Sequence, residues 1–132
     1  MTLQLQLFAS GLLAILLHES AHVLAAGLLG VKVKGCGISW RGAYIRREAG
    51  TAIQNVAISL AGPVANLLCV GCIFLVSWLG RCVISFAFVS LILGVHNLLP
   101  LPLTDGKRVL TLLRNAETDK FKEVMHVDTK AA

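Results

Sequence analysis

His18, Glu19 and His22 stand in the run His-Glu-Ser-Ala-His, an H-E-x-x-H pattern. On a helix, residues four apart share a face, so His18 and His22 project together. Two imidazoles at that spacing can bind one Zn²⁺, and Glu19 beside them can act as a base on a water. The pattern lies inside an apolar run from Leu3 to Leu29. Ionisable side chains in a membrane-length apolar segment are costly and default to a partner or a function. The plain alternative is a pair of polar-partnered histidines packing a helix interface.

Two more stretches carry polar groups in apolar surroundings. In Ala61-Gly62-Pro63-Val64-Ala65-Asn66, Gly and Pro allow close helix approach and free a backbone carbonyl. Asn66 lies one turn beyond Gly62 on the same face. An Asn in hydrocarbon wants a partner, either a neighbouring helix or a reacting substrate. The other stretch runs from Asn97 through Pro100 and Pro102 to Asp105-Gly106. Its prolines break the helix, and Asp105-Gly106 suits a turn that opens a new element. Asp105 is the only acidic residue between Glu48 and Glu117. A lone Asp before Gly is most often a turn residue or helix cap, with metal ligation the alternative.

The elements that must position these groups are membrane helices. Of 132 residues, 56% are hydrophobic and 14% charged, against roughly 45–50% and 25% in ordinary soluble domains. The apolar residues fall in long blocks. The reading is an all-α membrane protein with three transmembrane helices, at about 3–30, 51–79 and 82–99, and a small membrane-associated β hairpin at 31–50. Residues 1–106 form the core. Residues 107–132 form a cytoplasmic amphipathic C-terminal segment of one or two surface helices and a frayed tail. Val31-Lys32-Val33-Lys34 alternates with period two, and Arg41-Gly42 suits a turn; a plain basic loop is the alternative. Gly80-Arg81 makes a short link, so the second and third helices are antiparallel neighbours. No cleavable leader is expected, since no Lys or Arg precedes the first apolar run.

Five of the twelve Lys and Arg residues fall in 31–50, six after Asp105, and Arg81 is the last. The positive-inside rule then puts the 31–50 region and the C-terminus in the cytoplasm and the N-terminus outside. That topology brings the His18/His22 half of the first helix and Asp105 to the same side. The Cys69-x-x-Cys72 pair has no second cysteine pair or histidine nearby, and packing between helices is its expected role.

H-E-x-x-H in the first span, G-P-x-x-N in the second and N-x-x-P-x-P-x-x-D-G after the third, in that order, resemble the site-2 protease family of intramembrane zinc metalloproteases. The resemblance covers nearly the whole chain. It implies that His18, His22 and Asp105 hold Zn²⁺, that Glu19 is the catalytic base, and that Asn66 and Asn97 position substrate or stabilise the reacting carbonyl. It also implies peptide-bond hydrolysis in or near transmembrane segments, a membrane-protein substrate, lipid surroundings, and a sheet at 31–50 that pairs with extended substrate. Two residues depart from the pattern: Thr104 where Leu often precedes Asp-Gly, and Lys107 where a small residue commonly follows. No PDZ domain is expected between the second and third helices and no CBS domain in the tail. A membrane partner or homo-oligomer is expected to complete the fold, and nucleic acid is not an expected partner. The alternatives are a membrane protein that binds or transports zinc without needing Glu19, and a non-catalytic family scaffold.

Overall fold

The computed structural model describes residues 2–39, 42–75 and 81–130. Helix α1 (Leu3–Leu28) leads into strands β1 (Val33–Ser39) and β2 (Gly42–Arg47), followed by α2 (Ala52–Leu75), α3 (Arg81–Leu98) and α4 (Asp105–Lys130). Helices α1, α2 and α3 pack against one another, the hairpin lies on α1, and α4 packs on α2 and α3.

Local signals set the ends of α1. The Thr2 side chain accepts a hydrogen bond from the Leu5 amide at the N-terminus. At the other end Gly30 has φ +71°. Its amide donates to the Gly27 carbonyl and that of Val31 to the Ala26 carbonyl. This paired closure needs a left-handed residue, which glycine supplies without a Cβ clash. The buried residues of α1 are Ser10, Ala14, His18, His22 and Ala26. Their strict spacing of four makes one stripe, in which Ala14 and Ala26 are small enough for helix backbones to approach. The opposite surface bares Leu5, Phe8, Leu12, Leu16 and Leu24.

The same inversion holds for the bundle. Among the described residues, the largest fully buried side chains are Asn66, Pro63, Ser59 and Ser90, while leucines and phenylalanines stand outside. A soluble domain does the reverse. Helices Leu3–Leu28 and Ala52–Ile73 are long and apolar enough to cross a membrane, whereas the apolar stretch of α3, Val83–Leu98, is shorter. Where a third span was expected, at 82–99, there is a helix of 18 residues, Arg81–Leu98, but among the described residues only two helices, not three, have the length and composition of a span. At ~1.5 Å per residue Arg81–Leu98 falls a little short of the ~30 Å hydrocarbon core.

The hairpin expected at 31–50 is present as an antiparallel pair with Cys36 opposite Ile45, and the register slips between Val33 and Gly35. Arg41 of the expected turn and Gly80 of the expected link lie outside the described residues. The C-terminal segment is a single helix. It begins at Asp105 rather than at 107, because Thr104 caps it. The Thr104 hydroxyl bonds the Leu99 and Leu101 carbonyls at 2.6 and 2.8 Å and accepts from the Lys107 amide at 3.3 Å. Thr104 thus fills a structural role at the position where the resemblance expects Leu. Gly106 is equally constrained, since a Cβ there would collide with the Leu98 carbonyl. Cys36, Cys69 and Cys72 are free thiols.

Candidate metal centre

The buried stripe of α1 delivers His18 and His22 to the bundle interior, and the Thr104 cap delivers Asp105 from the far end of the chain. The His18 Nε2 lies 3.0 Å from Asp105 Oδ2, and the His22 Nε2 lies 3.3 Å from the same oxygen. The imidazole rings stand edge to face, with centroids 4.8 Å apart. His18 and His22 are only 5% and 9% exposed. Three donors around one tetrahedral ion, with bonds of ~2.0–2.1 Å, are separated by ~3.3 Å. The separations of Asp105 from both imidazoles match that edge and all three donor atoms lie within 4.8 Å of one another, so the residues could hold a metal ion.

The outer hydrogen bonds strengthen this fit. The His22 Nδ1 lies 2.6 Å from the Ile58 carbonyl oxygen, so Nδ1 carries a proton and donates it there. In the neutral ring, Nε2 then presents a lone pair to a carboxylate oxygen. That arrangement is repulsive unless a proton or a metal ion lies between them. On the other ring, Asn66 Nδ2 lies 3.3 Å from His18 Nδ1, and Asn66 Oδ1 is buried without a partner. Turning the Asn66 amide over puts Oδ1 against Nδ1–H and leaves the His18 Nε2 lone pair free for a metal, as ligating histidines require. Burial opposes ionisation of Asp105, but when no metal lies between them the His18 and His22 imidazoles, protonated on Nε2, donate to the carboxylate and hold it down at about 2.

Gly62 forms the wall behind the donors. A Cβ there would lie 2.5 Å from His22 Nε2 and 2.7 Å from His18 Nε2. Gly94 plays a similar part between α2 and α3, where a Cβ would sit 3.2 Å from the Pro63 carbonyl. The Gly-Pro pair on α2 therefore lets its backbone close on both imidazoles.

The donors open onto a cavity of about 410 Å³ that Glu19, Tyr44, Arg47, Ser59, Asn97 and Arg108 also line. Glu19 is half-buried and lines the same cavity as the donors. Asn97 lines the cavity as well, with its Nδ2 donating to the Leu93 carbonyl at 3.0 Å. Asn66 is placed differently: it is fully buried and lies against the outer nitrogen of His18. Lys107 is exposed and does not line the cavity.

Ser59, Arg47 and Arg108 are the cavity residues that motif reading passes over. Ser59 was within reach of it, because it stands seven residues before Asn66 and three before Gly62, on the same helix face. Its hydroxyl is buried without a hydrogen-bond partner. No protein-family model matches the chain, and no curated protein matches it in sequence.

Proposed function

We propose that this chain is an intramembrane zinc metalloprotease of the site-2 type, hydrolysing peptide bonds in or near the membrane-spanning segments of other proteins. The observation that supports this most is the convergence of His18, His22 and Asp105 on one point beside Glu19, across 87 residues of sequence. Two imidazoles and a carboxylate are a donor set suited to zinc, with one tetrahedral position left open. When bound, the zinc would lower the pKa of a water and polarise a peptide carbonyl.

The chain's own residues supply the rest. Glu19 takes the proton of the attacking water on its carboxylate and returns it to the leaving amine nitrogen. Asn66 and the Ile58 carbonyl hold the two imidazoles in orientation through their outer nitrogens. The Ser59 hydroxyl and the Asn97 amide lie on the cavity wall. They serve the substrate backbone there, and a donor facing the carbonyl oxygen stabilises the charge that develops on it.

A helical substrate hides its amides in its own hydrogen bonds, so it must be unwound at the cut. Strand β2 borders the cavity through Tyr44, Ile45 and Arg47. Among the described residues the sheet has two strands, so each keeps one edge unpaired within it, to which an extended segment can add. In this reading α3 makes a third crossing, and its short apolar stretch thins the bilayer locally, easing the entry of water. The hairpin and α4 face the cytoplasm and the N-terminus lies outside, as the positive charges require. The bare leucines of α1 meet lipid or a membrane partner.

The test is the zinc content of the detergent-purified chain, read beside cleavage of transmembrane substrates reconstituted with it. About one zinc per chain, lost in His18→Ala and Asp105→Ala, is expected together with cleavage. A chain that holds zinc but cuts no substrate contradicts the reading and leaves a metal-handling membrane protein.

A further inference from the structure

Two guanidinium groups on the cavity wall have no acidic partner among the described residues. Arg47 ends β2 and Arg108 lies in the first turn of α4, and both line the cavity that holds the metal donors. Arg47 is fixed in place, because its Nη1 donates to Asn55 Oδ1. Its Nη2 is buried and bonded to nothing. Burial and the charge of Arg108 both push the Arg47 guanidinium below its ordinary value, so the two cations repel each other across this space. The nearby carboxylates do not relieve them. Asp105 is taken by the histidines, and Glu48 pairs with Lys34 at 3.6 Å. Among the described residues, Glu19 forms no ion pair with either arginine.

A guanidinium with an unused N–H edge at Nη2, sharing its cavity with a second guanidinium, is suited to a planar anion. We propose that Arg47 and Arg108 form a carboxylate-binding subsite in the wall of the metal cavity, and that the peptide cut here carries an Asp or Glu side chain close to the scissile bond. This rests on the protease reading above, and it names a substrate class for it. A cavity of about 410 Å³ is ~9 Å across if round, and an extended chain advances ~3.3 Å per residue. The acidic residue therefore lies within about three residues of the cut. Because the pair shares its cavity with Glu19 and the metal donors, a peptide carboxylate is favoured over a lipid phosphate.

The experiment uses the full chain in zwitterionic detergent, zinc-loaded and carrying Glu19→Gln, so that binding is read without turnover. The probes are fluorescent apolar decapeptides identical except for one position, which holds Asp or Asn. Moving that position along the peptide should find a place where the Asp peptide binds about tenfold or more tightly than its Asn twin. Arg108→Gln and Arg47→Gln should each shrink that ratio, and together bring it close to one, with the zinc content unchanged. Arg108 is exposed, so its variant keeps the test intact even where Arg47→Gln upsets the Asn55 contact.

A ratio near one in the parent chain, or a ratio that survives both substitutions, overturns the subsite. Equal KM values for Asp and Asn twins in wild-type cleavage overturn it too, while leaving the protease standing. If no peptide is bound by the zinc-loaded chain or cut by the wild type, both readings fall. Arginine-dependent binding of phosphatidylglycerol without any acid preference assigns the pair to lipid and likewise overturns the proposal.

Discussion

Gly62→Ala tests the metal centre without touching a ligand. A methyl at residue 62 would meet His22 Nε2 at 2.5 Å, His18 Nε2 at 2.7 Å and His18 Cδ2 at 2.8 Å. Ordinary non-bonded contact is ~3.5 Å. Each imidazole must therefore retreat by roughly 0.8–1.0 Å, whereas metal sites tolerate about ±0.2 Å in ligand distance. The substitution crowds both histidine donors together. The expected loss of zinc affinity is on the order of hundredfold or more, above the 10–100-fold typical of disturbing only an outer hydrogen bond. Overpacking costs ~1–3 kcal/mol of fold stability, offset by the better helix propensity of Ala, worth ~1 kcal/mol. The fold should thus survive while the site does not. Competition with a chromophoric zinc chelator in detergent reads the affinity, and thermal unfolding reads the fold. Gly71→Ala on the same helix is the matched control, since a Cβ there has nothing within 4 Å. If Gly62→Ala binds zinc within about threefold of wild type, the inferred metal position beside Gly62 is wrong.

Asn66→Leu removes the partner of His18 Nδ1 and should weaken zinc binding ~10–100-fold, measured by the same competition. Asn66→Asp keeps an oxygen acceptor at that nitrogen and should recover most of the loss. Thr104→Val removes the cap that sets Asp105 at the start of α4. It should cost ~1 kcal/mol of stability, seen as a lower unfolding midpoint, with a severalfold drop in zinc affinity as Asp105 loosens.

The histidine pair was legible in the sequence because it is local. Spacing of four on a helix fixes where His18 and His22 point, and the same spacing repeats through Ser10, Ala14 and Ala26. The hairpin was legible because alternation is also local, with Lys34 near the start of β1 and Arg47 at the end of β2. Asp105 is a different case. A lone Asp before Gly reads as a turn or cap, and only the packing of α4 on α2 and α3 brings it to the histidines. Thr104 looked like a departure from a motif and proves to be the cap that starts α4 one residue before Asp105. Asn66 shares a helix face with Gly62, but the rotation of α2 decides whether it faces the cavity or the back of His18. No sequence pattern contains that angle. Arg47 and Arg108 looked like members of basic stretches at a membrane surface, because their missing partners can be seen only once the cavity is assembled. The third apolar helix was legible to within one residue at each end, since 82–99 stands beside the observed Arg81–Leu98, whereas its power to cross a membrane was not, because composition alone does not set the length of the apolar stretch, Val83–Leu98.

The central claim is that Glu19 performs proton transfer at a zinc site that cuts peptides. Its most direct test compares the wild-type chain with Glu19→Gln, both purified in detergent, measured for zinc, and reconstituted with one transmembrane substrate. Glu19 lies on the cavity wall and is not one of the three donors. The account predicts equal zinc in both and cleavage by the wild type alone. Equal cleavage by both would show that Glu19 is not the base, and equal zinc with no cleavage by either would show that the centre serves something other than proteolysis.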